Sequence, residues 1–279
     1  MWQGEGPTFQ QFSTEVTPEE LEHQKVVAKD TLERYSGSPV EEFQSYTLLT
    51  NFPRYVDYFA SEFKGKVYEG AMFKVAHAPE IQMSMLDFKI GSPAAALVVD
   101  LCSFLPIYAS LLLGMCGGLR GDYRIGEYFV PVASIRGDGT SDFYFPPEVP
   151  ALANFTIQKE VTEILEQEKK PHHIGITHTT NKRLWEFNPE FRTRLLITRP
   201  QVIEMECATL FTASYHHRLP LGALLLISDI PLTPMGSKTK ESSESIFNHC
   251  MPDHIRLGVK VIQKIQHVER LRAYRKHVH

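Results

Sequence analysis

Unbroken apolar runs alternate along the chain with helical repeats, and this order predicts an α/β domain. Ala223–Ile227 and Leu111–Gly114 are continuous apolar runs, which are typical of strands covered on both faces. Shorter strands are predicted at Tyr46–Thr50, Ala71–Ala78, Ile81–Phe88 and Ile174–His178. Helices are predicted at Pro18–Arg34, Val56–Phe63 and Phe155–Lys169, and Ser245–Arg272 is predicted to be one long helix or a helix pair. With 279 residues, of which 43% are apolar, the chain is long enough to bury one large core.

Two of the predicted helices have recognisable starts. Thr17 precedes the first helix as an N-cap residue. In the segment from Ile90 to Leu97, Ser92 is predicted to cap a helix and Pro93 to fill its first position. Backbone amides at this second start would face the ligand edge of the sheet and could hold an anion or a hydroxyl group. Any well-formed helix start has this pattern, so the segment does not define a site by itself.

Two carboxylates stand at the ends of predicted elements between residues 203 and 232. Asp229 follows the Ala223–Ile227 strand, and Glu206 precedes the apolar segment Cys207–Phe211. Because ligands bind beyond the carboxyl ends of strands in open α/β sheets, both side chains are candidates for general acid chemistry and substrate contacts. A carboxylate after a buried strand is also a common helix N-cap, and position alone leaves both interpretations of Asp229 open.

Other candidate ligand contacts follow the remaining strands. Gly117 and Gly118 come after the Leu111–Gly114 run and would let a ligand approach the backbone, although their spacing alone favours a simple tight turn. The loop at 179–187 combines hydrogen-bond donors with two cations and is a candidate for phosphate and base contacts. Its Trp185 could line a base pocket or belong to the core. The cations at strand ends that could hold a phosphate are Arg54, Arg120, Lys182 and Arg183.

Composition argues against several classes of protein. The net charge is −4, and the one basic cluster, Arg270–Lys276, is interpreted as a solvated helix face, so no nucleic-acid partner is predicted. The four cysteines are far apart in apolar surroundings, as in reduced cytoplasmic proteins. The start of the chain lacks the basic and apolar blocks of a signal peptide, and secretion is not predicted. The histidines have no metal-ligand spacing, and neither a metal nor another cofactor is predicted.

One stretch, Pro93–Gly118, is long enough to span a bilayer and carries a single charge, Asp100. Pro106, the small residues inside the stretch and its terminal glycines are atypical of a membrane span. The segment is therefore predicted to be a buried helix that leads into a buried strand, without a membrane partner.

Four motifs follow one another along the chain, IGSPAAAL at 90–97, GMCGGLR at 114–120, IEMECATL at 203–210 and LLISDIPL at 225–232. Their order resembles the nucleoside phosphorylase and nucleosidase superfamily, and within it the AMP nucleosidases. The similarity implies a catalytic domain at 46–279, preceded by a helical extension at 1–45 and without the further N-terminal domain of the larger bacterial members. It implies a three-layer α/β/α fold around a mixed, partly barrel-like sheet, assembled as a homo-oligomer, a hexamer.

The resemblance also implies an activity, the hydrolysis of the N-glycosidic bond of AMP to adenine and ribose 5-phosphate. In this superfamily the aspartate of the SD motif, here Asp229 after Ser228, protonates or hydrogen-bonds N7 of the purine. The glutamate of the ME motif, here Glu206, holds the ribose hydroxyls, and Met205 packs against the sugar. An aspartic acid with a usual pKa of about 3.9 would need its pKa raised by burial to carry this proton at neutral pH.

Two departures from the superfamily pattern bear on the reaction. Leu112 and Met115 occupy positions where the phosphorylases have an arginine and a serine that hold inorganic phosphate, which favours water as the nucleophile. The loop after the first strand offers Asn51 and Asp57 but no counterpart of the glutamate that activates water in the small nucleosidases, so no base is assigned. A phosphate-dependent nucleoside phosphorylase and a non-catalytic nucleotide-binding protein of the same fold are the alternatives.

Overall fold

The computed structural model describes residues 16–233, 236 and 239–268. Its α-helices are α1 (Pro18–Ser36), α2 (Pro53–Phe63), α3 (Ser92–Cys102), α4 (Phe155–Gln167), α5 (Pro189–Thr198), α6 (Cys207–His216), α7 (Lys240–His249) and α8 (Met251–Ile265). Its strands are β1 (Tyr46–Thr50), β2 (Lys66–Glu69), β3 (Lys74–Ala78), β4 (Met83–Asp87), β5 (Ala109–Gly118), β6 (Tyr128–Gly137), β7 (Ala151–Leu152), β8 (His172–Thr180), β9 (Val202–Glu204) and β10 (Leu221–Asp229). The predicted basic cluster at Arg270–Lys276 lies outside the described residues, as do residues 269–272 of the predicted C-terminal helix.

All ten strands of the described chain belong to one sheet, part of which closes on itself. β5 pairs with β10, β10 with β6, β6 with β8, β8 with β9, and β9 again with β5, so these five strands form a barrel. β1, β4, β3 and β2 extend from β5 as an open wing, and β7 pairs with β6. Parallel and antiparallel pairs both occur. The predicted mixed, partly barrel-like sheet is therefore confirmed.

Helices cover both faces of the sheet and complete the predicted three-layer α/β/α arrangement. α2, α4 and α8 share one hydrophobic cluster with one face, and α1, α3 and α6 share a second cluster with the other. Alternate residues of β5 divide between the two clusters, with Leu111 and Leu113 in the first and Leu112 in the second. This burial on both faces explains why β5 and β10 have continuous apolar sequences instead of alternating ones.

The first helix begins where its capping residue predicts. The hydroxyl of Thr17 accepts a hydrogen bond from the Glu20 N–H at 3.2 Å, and the Glu20 carboxylate accepts one from the Thr17 N–H at 2.8 Å. This reciprocal capping box satisfies two amides that a helix start leaves without partners. α1 then packs on α3, so residues ahead of the sheet cover part of its second face.

The predicted cap of α3 is wrong by one residue. Gly91 occupies the N-cap position with φ of 98°, a left-handed conformation that favours glycine. Ser92 is the first residue of the helix, and its hydroxyl donates to the carbonyl oxygen of Met205 at 2.8 Å instead of capping α3. The start of α3 is therefore tied to the segment that carries the ME motif.

The interpretation of Gly117 and Gly118 as a turn is also wrong. β5 continues through both glycines, and neither has a positive φ. Their small size has another use, because a Cβ atom on Gly117 would lie 3.1 Å from Cγ of Pro231. The glycine thus leaves room for the segment that follows β10 to cross the end of β5.

The segment Pro93–Gly118 forms α3 and β5, as its small residues and Pro106 predict. Across the part of the chain that the structure describes, every helix is too short or too polar to cross a membrane.

Candidate active site

A cavity of about 340 Å³ lies where the carboxyl ends of β1, β5, β8, β9 and β10 meet. This volume is within the range of about 300–1,000 Å³ that is usual for small-molecule sites. The predicted site residues that line it are Met205, Glu206, Ser228, Asp229, Gly117, Trp185 and Arg183. Residues that line it without having been predicted as ligands include Asn51, Glu186 and Glu204. Gly118, Arg54 and Arg120 are not among its lining residues.

Asp229 is the last residue of β10, and a bulge sets its direction. Ile227 pairs with Cys116 and Asp229 with Gly117, so Ser228 is an extra residue in the ladder with β5. Such bulges redirect side chains and are common beside active sites. The Ser228 hydroxyl lies 2.6 Å from Oδ1 of Asp229 and donates to it. The bulge and this hydrogen bond hold the carboxylate at the cavity wall.

The alternative role of Asp229 as a helix cap is not realised. The next helix along the chain, α7, is capped by Thr239, whose hydroxyl accepts from the Ser242 N–H at 3.2 Å. Asp229 is followed instead by a turn at 231–233. Its position in the cavity is therefore left to a function other than helix capping.

Glu206 occupies the N-cap position of α6, but its side chain does not cap the helix. The carboxylate of Glu204 does so, accepting from the N–H groups of Glu206 at 2.7 Å and Cys207 at 2.6 Å. Glu206 accepts instead from the Gly91 N–H at 2.8 Å, so an amide at the start of α3 that the sequence offered for an anion is already used. Because Glu204 caps α6, the side chain of Glu206 lies at the cavity wall, where the residue is 4% exposed.

Glu204 is the residue that sequence reasoning missed most clearly. Besides the two backbone amides, it accepts hydrogen bonds from the hydroxyls of Thr179 at 2.5 Å and Thr177 at 3.2 Å. These four donors satisfy the oxygens of a side chain that is 6% exposed. The signal was present in the sequence as two glutamates spaced two residues apart inside an otherwise apolar segment.

The two buried glutamates compete for one proton. Burial, followed by the negative charge of Glu204, raises the pKa of Glu206 to about 7. Burial also raises the pKa of Glu204, but the hydrogen bonds from Thr179 and from the N–H groups of Cys207 and Glu206 oppose that rise. Because Glu204 has the larger number of donors, Glu206 is the member of the pair that takes up a proton as the pH falls through about 7.

This pair gives the free energy of unfolding a pH dependence. The pKa of Glu206 is about 7 in the folded protein against a usual value of 4.5, so the folded state holds the proton more tightly. The resulting stabilisation, at most about 3 kcal/mol, is complete below the unfolded pKa and is lost as the pH rises through the folded one. We expect the melting temperature of Glu206→Gln to fall less than that of the wild type between about pH 5 and about pH 8. Glu41→Gln, on an exposed residue, is the control, and equal slopes for Glu206→Gln and wild type would contradict the assignment.

The loop after β8 brings aromatic and charged groups to the opposite part of the lining. Trp185 is 5% exposed and packs on Phe191, with ring centroids 5.8 Å apart, so it belongs to a small core cluster and to the cavity wall at once. Arg183 is half-exposed, with a guanidinium nitrogen 4.0 Å from Oε1 of Glu186. The other oxygen of Glu186, Oε2, is buried and has no hydrogen-bond partner among the described residues.

Two of the cations that the sequence offered are engaged elsewhere. Arg54 pairs with Glu244 at 3.0 Å, donates to Asn248 at 3.2 Å and lies over the ring of Phe247. Arg120 donates to the carbonyl oxygen of Arg199 at 3.0 Å. The structure thus uses these side chains to join α2 to α7 and to hold the end of α5.

A sequence profile of the phosphorylase superfamily matches residues 40–263. The chain belongs to the phosphorylase superfamily. Its relatives in this superfamily include nucleosidases and phosphorylases. An AMP nucleosidase of Escherichia coli K12 is 25% identical over 294 residues, which cover 87% of this chain and 60% of that protein. A uridine phosphorylase of Treponema pallidum is 24% identical over 66% of this chain and 73% of that protein.

The fold of this chain is similar to that of two solved structures. The crystal structure of an AMP nucleosidase from Bacteroides thetaiotaomicron has a TM-score of 0.76 and 31% identity, covering 88% of this chain and 99% of that one. A uridine phosphorylase from Vibrio fischeri has a TM-score of 0.69 at 17% identity, covering 81% of this chain and 93% of that one, and supports the fold. The chain spans 60% of the length of the E. coli relative.

Proposed function

We propose that this member of the phosphorylase superfamily hydrolyses the N-glycosidic bond of AMP and releases adenine and ribose 5-phosphate. The names of the E. coli and Bacteroides thetaiotaomicron relatives support AMP as the substrate. The choice of hydrolysis over phosphorolysis rests on the charges of the cavity.

Among the described residues that line the cavity, carboxylates outnumber cations. Among the described lining residues, Arg183 is the one cation, and the carboxylates are Glu186, Glu204, Glu206 and Asp229. Met115 of β5 adds an apolar side chain to the same lining. A 5′-phosphate on the substrate can use Arg183, but a second phosphate acting as nucleophile would lie among carboxylates in a partly buried site, where like charges repel strongly. This charge balance favours water as the nucleophile.

The same charges suit the cleavage of a glycosidic bond. As the bond from C1′ to N9 breaks, positive charge develops on the ribose and negative charge on the base. Above about pH 7 Glu206 is ionised, and it would then accept hydrogen bonds from the ribose hydroxyls and favour the developing cation beside it. Asp229 would donate to N7, so that adenine leaves in a neutral form.

Product analysis tests the proposal. Purified protein is incubated with AMP or with adenosine, each with and without inorganic phosphate, and the products are separated by chromatography. We expect adenine and ribose 5-phosphate from AMP at a rate that added phosphate does not increase. Cleavage of adenosine that requires phosphate would identify a phosphorylase instead, and absence of cleavage in all four mixtures would favour a nucleotide-binding protein.

We also infer that the catalytic domain spans 46–279 after an extension at 1–45, and that the chain forms a homo-oligomer, a hexamer. Exposed apolar side chains on and beside α5 support a subunit contact, since Phe187, Leu196 and Ile197 are 73–75% exposed. Sedimentation velocity of the purified protein measures the assembly, and a monomer at micromolar concentration would contradict this inference.

A further inference from the structure

Asn51 carries an acceptor that nothing in the described chain satisfies. It follows β1 directly and lines the cavity, and its Oδ1 is buried without a hydrogen-bond partner among the described residues. An unsatisfied buried acceptor costs about 1–3 kcal/mol. A group that the cavity takes up is therefore expected to donate to this atom.

The position of Nδ2 of Asn51 indicates where the group that donates to Oδ1 would lie. The Asn51 amide lies beside the carboxylate of Glu206 in the cavity lining, and its N–H side lowers the pKa of that glutamate against the effect of burial. Only Nδ2 can donate, so Oδ1 is the acceptor that remains. Oδ1 thus lies one amide group away from the carboxylate to which the proposed function gives the ribose hydroxyls.

The neighbouring acceptors are already engaged. Glu204 has four protein donors, and Glu206 accepts from the N–H groups of Gly91 and Met205 and lies beside the Asn51 amide. Oε2 of Glu186 also lacks a partner among the described residues, but it lies on the loop after β8 beside Arg183. Oδ1 of Asn51 is therefore the acceptor that has no donor among the described residues, next to the carboxylate that the proposed function assigns to the sugar.

We propose that Oδ1 of Asn51 accepts a hydrogen bond from the water molecule that attacks C1′, and so orients it. This inference rests on the proposed function. The bond between C1′ and N9 breaks with its electron pair going to adenine, which receives a proton from Asp229. The water oxygen bonds to C1′ and then releases one proton to solvent, while Asp229 is reprotonated from solvent. The products are adenine and ribose 5-phosphate.

An amide is sufficient for this role because the reacting carbon is strongly electrophilic. In an oxocarbenium-like transition state the nucleophile forms little bond, so the water needs the correct position more than prior loss of a proton. The absence of a glutamate from the loop after β1 is then consistent with hydrolysis. Asn51 is a positioning residue for the water, whereas Glu206 and Asp229 contact the substrate.

The test uses Asn51→Ala with methanol as a competing nucleophile. We expect kcat for AMP to fall about 10-fold to 100-fold, as loss of one orienting hydrogen bond predicts, with KM changed by less than about 3-fold. With methanol present, the ratio of methyl ribose 5-phosphate to ribose 5-phosphate should rise at least about 3-fold over wild type, because the water is no longer held. Binding of a C-nucleoside analogue of AMP, whose carbon–carbon bond cannot be cleaved, should stay unchanged.

Three results would contradict the role of Asn51. An alanine variant with the kcat and the methanol ratio of wild type would overturn the role of Asn51 and leave the proposed function intact. Weaker analogue binding with an unchanged methanol ratio would make Asn51 a ribose ligand and would also overturn it. A wild-type protein that releases no adenine from AMP would overturn the proposed function, and the inference with it. If the alanine protein is not recovered folded, Asn51→Ser is measured in the same way, with the same rise expected.

Discussion

Replacement of Asp229 by asparagine is expected to lower kcat for AMP hydrolysis by about 10²-fold to 10⁴-fold, the usual contribution of a positioned general acid. Asparagine keeps the shape of the side chain and can still pair with the Ser228 hydroxyl, which lies 2.6 Å from Oδ1. It cannot transfer a proton to the departing base. The measurement is steady-state release of adenine from AMP, with the melting temperature recorded to show that the variant is folded.

A substrate that needs no acid separates this role from a structural one. With a 4-nitrophenoxy group in place of adenine, the leaving group departs as the stable 4-nitrophenolate anion, and we expect Asp229→Asn to cleave this substrate nearly as fast as wild type does. Asp142→Asn, on an exposed aspartate that pairs with Arg136, serves as the matched control. An equal loss for both substrates would show that Asp229 organises the cavity without donating a proton.

Replacement of Glu206 by alanine is expected to lower kcat/KM for AMP about 100-fold. Hydrogen bonds to a charged group contribute about 1.5–3 kcal/mol, and 2.7 kcal/mol corresponds to roughly that factor. The loss should appear in KM and kcat together, because the carboxylate contacts the sugar both before and during cleavage. Adenine release over a range of AMP concentrations gives both constants.

Deoxy-AMP provides the control for this second variant. If Glu206 holds a ribose hydroxyl, the substrate that lacks the 2′-hydroxyl should lose less on Glu206→Ala than AMP does, and the difference measures their coupling. The same loss for both substrates would mean that Glu206 acts through Gly91 and the start of α3, to which it is bound at 2.8 Å.

Local sequence predicted the elements of the fold but not how they close. Runs such as Leu111–Gly114 identify buried strands because a strand covered on both faces needs apolar residues at every position. Barrel closure depends on which strands pair, and β9, with only three residues, carries too little pattern to be recognised. Gly117 and Gly118 suggested a turn because glycine is typical of turns. In the structure both lie in β5, and the small size of Gly117 makes room for Pro231.

Candidate site residues were chosen where a carboxylate stands at the end of a predicted element. Asp229 and Glu206 were chosen in this way, and the structure places both in one cavity. The sequence suggested Arg54 as a phosphate ligand, but in the structure it pairs with Glu244. The sequence could not show this because Glu244 is distant along the chain, and a cation alone does not show which anion it contacts. Glu204 and Asn51 were missed as ligands because their roles depend on hydrogen bonds that only the folded chain forms.

The strand that separates the two catalytic candidates suggests how relatives of this chain can change specificity during evolution. Gly117 of β5 pairs with Ile203 of β9 on one side and with Asp229 of β10 on the other. Main-chain hydrogen bonds thereby fix the spacing of the strands that carry Asp229 and lead into Glu206. Trp185, Glu186 and Arg183 lie on a loop outside the strand ladders. Mutations there can select a new base or a new 5′ substituent while the cleavage chemistry is inherited unchanged.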